Sequence, residues 1–264
     1  MIGDFVFKDR YTIDDLIHIM QCLRQPDGCP WDREQTHESI KKNLIEETYE
    51  VIEAINKQDK ELLLEELGDL LLQVVFHTEL ETEQGGFTFD DVCNGVCQKL
   101  VDRHPHVFGT VQADNAEEAL SSWDNVKRTK KGQKKGSEPM LSIPRELPAL
   151  MRADKVQGKA KKLGFDWPDV SGALDKLEEE TAELKEAIAS GRQDEISMEL
   201  GDLLFSAVNV SRFVQCDAEE ALTASTDKFI ARFRKLEALA AERGLDLETA
   251  SLAEMDALWD EIKK

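Results

Sequence analysis

Carboxylates recur in this chain in one pattern, used twice. Glu46-Glu47-Thr48-Tyr49-Glu50 is followed by Glu65-Glu66-Leu67-Gly68-Asp69, and Glu179-Glu180-Thr181-Ala182-Glu183 is followed by Glu199-Leu200-Gly201-Asp202. The separation from Glu47 to Asp69 is 22 residues, and so is that from Glu180 to Asp202. Residues three apart share a helix face, so each pair (Glu47 and Glu50, Glu66 and Asp69, Glu180 and Glu183, Glu199 and Asp202) can aim at one point. Four gathered carboxylates repel one another unless a cation joins them. An all-oxygen donor set suits Mg²⁺, which keeps some of its water and accepts substrate phosphate oxygens to complete its shell. Glu-rich helix faces are ordinarily just solvated, and that reading serves for Glu53, Glu81 and Glu237. Asp69 and Asp202 sit among leucines, where an unpaired charge is costly to bury, and are expected to face a cation. A diiron centre would need Glu-x-x-His from two helices; Glu34-x-x-His37 occurs once, outside the arrays.

Basic residues supply the complementary half. Lys228 and Arg232 lie one helical turn apart, as do Lys99 and Arg103, and Lys176 shortly precedes Glu179. Such cations can bind phosphate oxygens or simply pair with the abundant surface acids. Trp259 can stack on a base or pack in a core. His104-Pro105-His106 reads as a turn.

These side chains must be held by helices. Apolar residues recur with helical period almost everywhere, and no alternating strand is evident. Leu44, Ile45, Thr48, Val51, Ile52 and Ile55 share one side of a helix, with Glu46, Glu47, Glu50 and Glu53 opposite. From Leu62 to Phe76 only a narrow stripe (Glu65, Glu66, Asp69, Gln73, continuing to His77) is polar. Its counterpart is Glu195, Glu199, Asp202, Ser206 and Asn209. A helix apolar on all sides but one is expected to be buried, with its stripe facing something polar inside the fold. The short breaks at 57–59 and 190–194 predict antiparallel hairpins.

The repeat extends further. Gly28-Cys29-Pro30-Trp31-Asp32 matches Gly164-Phe165-Asp166-Trp167-Pro168-Asp169, and Trp123-Asp124-Asn125-Val126-Lys127 matches Trp259-Asp260-Glu261-Ile262-Lys263. The expected architecture is therefore all-α: two tandem helical modules, 1–126 and 149–264, joined by a linker at 127–148. That linker begins as a basic, exposed stretch (Lys127, Arg128, Lys130, Lys131, Lys134, Lys135).

Composition narrows the function further. A net charge of −21 argues against a binder of nucleic-acid backbone, which needs a basic face. It also means that a phosphate ester would be repelled without a divalent metal. The five cysteines form no C-x-x-C pair, and no apolar run approaches membrane-spanning length, so a soluble cytoplasmic protein with reduced thiols is expected.

Taken together, the paired E-x-x-E and E-L-G-D-L-L arrays, Gly28-Cys29-Pro30-Trp31-Asp32, Arg103-His104-Pro105-His106-Val107-Phe108 and Gly164-Phe165-Asp166-Trp167 resemble the MazG family. These are nucleoside triphosphate pyrophosphohydrolases of the all-α NTP pyrophosphatase superfamily. The resemblance spans nearly the whole chain. It implies Mg²⁺-dependent hydrolysis of NTPs and dNTPs to monophosphate and pyrophosphate, with Mn²⁺ able to substitute, by a homodimer of housecleaning type. It also implies that the second module is catalytic, with Glu180, Glu183, Glu199 and Asp202 as metal ligands. Lys176, Glu179, Lys228, Arg232 and Trp259 would then contact the nucleotide. The first module keeps Glu47, Glu50, Glu66 and Asp69 but has Asn43 where Lys176 falls, which leaves its role open. Other readings are a narrower pyrophosphatase for dUTP, a modified nucleotide or phosphoribosyl-ATP, and a non-enzymatic nucleotide-sensing module.

Overall fold

The structure, a computed structural model, describes residues 5–113, 115–119, 122–123, 126 and 137–263. The expected basic stretch 127–135 lies outside the described residues. The chain divides into two compact units, Met1–Lys131 and Gly132–Lys264. Among the described residues all regular structure is helical and none is strand.

The first unit contains α1 (Ile13–Arg24), α2 (Pro30–Glu34), α3 (His37–Lys57), α4 (Lys60–Glu83), α5 (Phe89–Arg103) and α6 (Pro105–Phe108). Helix α3 begins at Thr36, whose Oγ1 accepts from the Ser39 N–H at 3.2 Å while its own N–H donates to Ser39 Oγ at 2.9 Å. It ends at Gln58, which takes a left-handed conformation at φ 56°. Asp59 then caps α4, its carboxylate accepting from the N–H groups of Glu61 and Leu62. This reversal lays α4 antiparallel against α3. Helix α1 crosses α4 to form a core of Met20, Ile40, Val75, Phe76 and Leu80. Each such side chain contributes about 1.5–3 kcal/mol by leaving water.

The second unit contains α7 (Glu138–Leu141), α8 (Ala149–Lys161), α9 (Val170–Ser190), α10 (Gln193–Phe213), α11 (Ala218–Glu242) and α12 (Leu252–Ile262). Asp169 caps α9 through the Ser171 N–H at 2.8 Å. The turn at Gly191, φ 71°, reverses the chain into α10. Helices α11 and α12 close on Leu236, Ala240 and Leu258, with Trp259 and Ile262 packed against them. The stretch 137–148, expected to be linker, includes the short helix α7 packed on α8, and Ile143 is buried.

One expectation is corrected. The α4 and α10 hairpin helices are not buried all round: Leu64 is 77% exposed, Leu67 48%, Met198 57% and Leu200 45%. Ile45, Ile52 and Ile55 on α3 and Leu174 and Ile188 on α9 are exposed too. The buried residues of α4 lie in its C-terminal half, from Gln73 to Leu80, where α1 covers it. Among the described residues, one apolar flank of each hairpin is left open to solvent.

Candidate metal and nucleotide site

In the second unit the hairpin brings Glu180 from α9 together with Glu199 and Asp202 from α10. One carboxylate oxygen from each lies within 4.8 Å of the other two. That spread is slightly wider than the diameter of an octahedral Mg²⁺ shell, about 4.2 Å between opposite oxygens. Three oxygen donors from two packed helices, open on one side, fit a small hard cation that also holds water and phosphate. Glu180 is the buried member, at 5% exposure, whereas Asp202 is exposed. The expectation that Asp202 would be the submerged charge is corrected on this point. The neighbouring leucines Leu200 and Leu204 are themselves open to solvent, so Asp202 keeps its hydration.

Burying Glu180 demands a counter-charge, and Lys176 supplies it from one turn earlier on the same helix. Its Nζ stands 2.6 Å from Glu180 and 2.8 Å from Glu179. Hydrogen bonds to Glu179 and Glu180 raise the Lys176 ammonium well above its usual pKa, so it stays charged. Glu183 stands beside the trio rather than in it. Loss of hydration raises its carboxyl pKa, the Glu180 and Glu199 charges add to the rise, and Lys176 opposes it.

The first unit repeats the trio as Glu47, Glu66 and Asp69, again within 4.8 Å. Asn43 provides no cation at the Lys176 position. Desolvation raises the Glu47 carboxyl pKa, reinforced by the Asp69 charge and by a hydrogen bond that the protonated Glu47 carboxyl donates to Glu50. Glu66 is raised by desolvation and then by Glu50. Here no lysine at the matching position offsets the crowding.

The expected phosphate cations lie on α11. Lys228 is exposed and Arg232 half-buried, and among the described residues neither forms an ion pair. Trp259 is half-buried against the α11–α12 core. Its ring centroid is 5.3 Å from that of Phe229, and Lys263 Nζ lies 5.9 Å from it. In the first unit Arg103 sits over Trp123 at 5.2 Å. His104 ends α5, with Pro105 opening the next short helix, as a turn requires.

Sequence reasoning missed two features. Asp166, inside the Gly-Phe-Asp-Trp match, forms a two-pronged ion pair with Arg212 at 2.6 and 2.9 Å, each side chain only 13% exposed. Beside it, Gln157, Ala160, Trp167, Phe205, Asn209 and Arg212 help to line a cavity of about 460 Å³. An arginine three residues beyond a polar-stripe asparagine was the available signal.

Comparison with known proteins follows this geometry closely. A profile of the MazG nucleotide pyrophosphohydrolase domain matches residues 35–108 and again 170–236, each span holding one acid array. The chain is 46% identical over 250 residues to the nucleoside triphosphate pyrophosphohydrolase/pyrophosphatase MazG of Thermotoga maritima, covering 95% of each chain. It is 43% identical over 257 residues to the nucleoside triphosphate pyrophosphohydrolase of Escherichia coli K12, covering 96% of this chain and 97% of that one. The Mycobacterium tuberculosis protein of that name is 38% identical over 153 residues, 57% of this chain and 45% of its own.

Proposed function

Because the chain belongs to the MazG nucleotide pyrophosphohydrolase family, we propose that its second module houses the catalytic centre, with Mg²⁺ as the working cation. The protein is a nucleoside triphosphate pyrophosphohydrolase, cleaving nucleoside triphosphates to the monophosphate and pyrophosphate. One observation supports the choice of module: Glu180, Glu199 and Asp202 converge within 4.8 Å and carry Lys176 on their buried member, whereas the Glu47 trio has Asn43 at the matching sequence position.

When bound, the divalent ion supplies neutralisation of the triphosphate and polarisation of the phosphoryl group. Glu180, Glu199 and Asp202 would hold it, and Glu183, which feels the charges of Glu180 and Glu199, would complete the set or take a proton from the attacking water. Lys176 and Glu179 border the phosphate path. Lys228 and Arg232, unpaired among the described residues, are suited to the charge of the leaving pyrophosphate. Trp259 is assigned a nucleotide contact of lesser reach, since Phe229 and the α11–α12 core already engage its ring.

The exposed rows along α3–α4 and α9–α11 support assembly as a homodimer, in which a second copy would cover them. Among the described residues no helix is long and apolar enough to cross a membrane. We place the enzyme in the cytoplasm, cleansing the nucleotide pool.

A nucleotide panel with products resolved, run with and without Mg²⁺, tests this reading. Pyrophosphate and monophosphate are expected only with metal. Orthophosphate and nucleoside diphosphate would reassign the reaction, and binding without turnover would make the chain a sensor. A kcat/KM confined to dUTP, a modified nucleotide or phosphoribosyl-ATP would narrow the substrate.

A further inference from the structure

The two modules differ beside their acid sites in a way that the shared carboxylates do not require. Counted from the matching glycines Gly28 and Gly164, Gln21 and Arg24 correspond to Gln157 and Ala160. Counted from the matching aspartates Asp69 and Asp202, Phe76 corresponds to Asn209. In the first module Arg24 lies over the buried Phe76 ring at 5.5 Å and is pinned by Glu83 at 2.6 and 2.8 Å, so these two side chains fill the position. In the second, Ala160 and Asn209 are too small to do so, and both line the cavity of about 460 Å³.

That cavity has the chemistry of a recognition site. Gln157 is 6% exposed, donates through Nε2 to the Phe205 carbonyl at 2.8 Å, and leaves its Oε1 without a partner. An orphaned buried acceptor is costly unless something supplies a donor. Asn209 accepts from Arg212 through Oδ1 at 2.7 Å, which leaves its Nδ2 without a protein partner among the described residues. Asp166 clamps Arg212 and so fixes Asn209. The Phe165 and Trp167 rings lie along the opening, both exposed. The cavity thus offers one acceptor, one donor and flat apolar surface.

Its position selects the occupant. Asp202, Phe205 and Asn209 follow one face of α10, so the cavity lies about 10 Å along the helix axis from the acid trio. That is comparable with the reach from a nucleotide's phosphate tail to its base. Resting on the pyrophosphohydrolase reading above, we propose that this cavity receives the nucleobase of the substrate. There Gln157 Oε1 and Asn209 Nδ2 read a donor and an acceptor on the base edge, and Trp167 borders its face. Every common base presents such a pair, so the site holds bases while discriminating weakly among them. The first module, with Arg24 and Phe76 in place, takes no base.

The test is to restore the first-module residue in the second, as N209F, alongside the milder Q157A and, for contrast, W259A. For N209F, KM for a nucleoside triphosphate should rise about tenfold or more with a smaller change in kcat, the mark of lost ground-state binding. Q157A should raise KM less and shift the ratio of kcat/KM between purine and pyrimidine substrates. Saturation-transfer NMR with adenosine alone, which carries no phosphate, should show contact with the wild-type protein and none with N209F, independently of turnover. If wild type turns over no triphosphate, the function reading fails while the adenosine measurement still judges the cavity. An unchanged KM in both cavity variants, a KM effect carried by W259A alone, or adenosine contact that persists in N209F would overturn the assignment.

Discussion

Lys176 places its ammonium 2.6 Å from Glu180, a carboxylate whose side chain is only 6% exposed. The cation is therefore tied to the acid trio, and on the proposed function a metal bound at those carboxylates would release it to engage phosphate. K176M should lower kcat/KM about tenfold or more, with K176R retaining part of the activity because charge survives while geometry changes. Thermal melts should show the larger loss of K176M stability without Mg²⁺ and a smaller one with it. A loss of equal size in both conditions would mean that the metal does not take over as Glu180's counter-charge.

The two modules should respond unequally to removal of matched acids. E183A is expected to abolish pyrophosphate release, whereas E50A, beside a trio with no lysine, should reduce it only about two- to threefold, the cost of indirect packing changes. Steady-state kinetics on both variants decide the matter; equal losses would count against a division of labour.

Acidity and metal should compete. Glu47, Glu66 and Glu183 all have folded-state pKa values raised by desolvation and neighbouring carboxylates. For such groups the folded chain binds more protons than the unfolded one between the two pKa values. Their contribution is favourable below the unfolded value, near 4.5, and is lost as pH rises through the folded value. Apo protein should lose stability across that window. The Tm gain from Mg²⁺ should be small near about pH 5 and larger near about pH 7.5, as protons leave the ligands. A gain independent of pH would contradict carboxylate ligation.

Breaking the Asp166–Arg212 pair should unsettle the second unit. Each side chain is 13% exposed, so D166N leaves a largely buried guanidinium half-satisfied. The cost is expected at about 2 kcal/mol, below the range for fully enclosed pairs, because some hydration remains. Arg212 holds the Asp166 carboxyl pKa below its ordinary value, so this contribution is present above the unfolded pKa of 3.8 and disappears as pH falls through the folded one. Urea titration of wild type and D166N at neutral and acid pH measures both effects.

The acid arrays were legible because helical spacing alone puts Glu180, Glu183, Glu199 and Asp202 on facing surfaces, and the hairpins followed from short polar breaks around 58 and 191. Burial was less legible. Which carboxylate is submerged depends on how α9 and α10 pack, and Glu180 rather than Asp202 is the one enclosed. The exposed flank carrying Leu64 and Met198 was misread because apolar periodicity marks an apolar face without recording whether this chain covers it. The cavity depends on pairs distant in sequence: Ala160 and Asn209 stand where Arg24 and Phe76 stack in the other copy, and neither small residue is conspicuous alone.

Both hairpins reverse through a left-handed residue, yet one copy uses Gly191 at φ 71° and the other Gln58 at φ 56°. The antiparallel helix pair imposes that torsion, and glycine merely suits it. A glutamine there tolerates mild steric crowding, so the first hairpin is the natural place for an engineer to raise heat tolerance by a single replacement, leaving the chemistry of the second untouched.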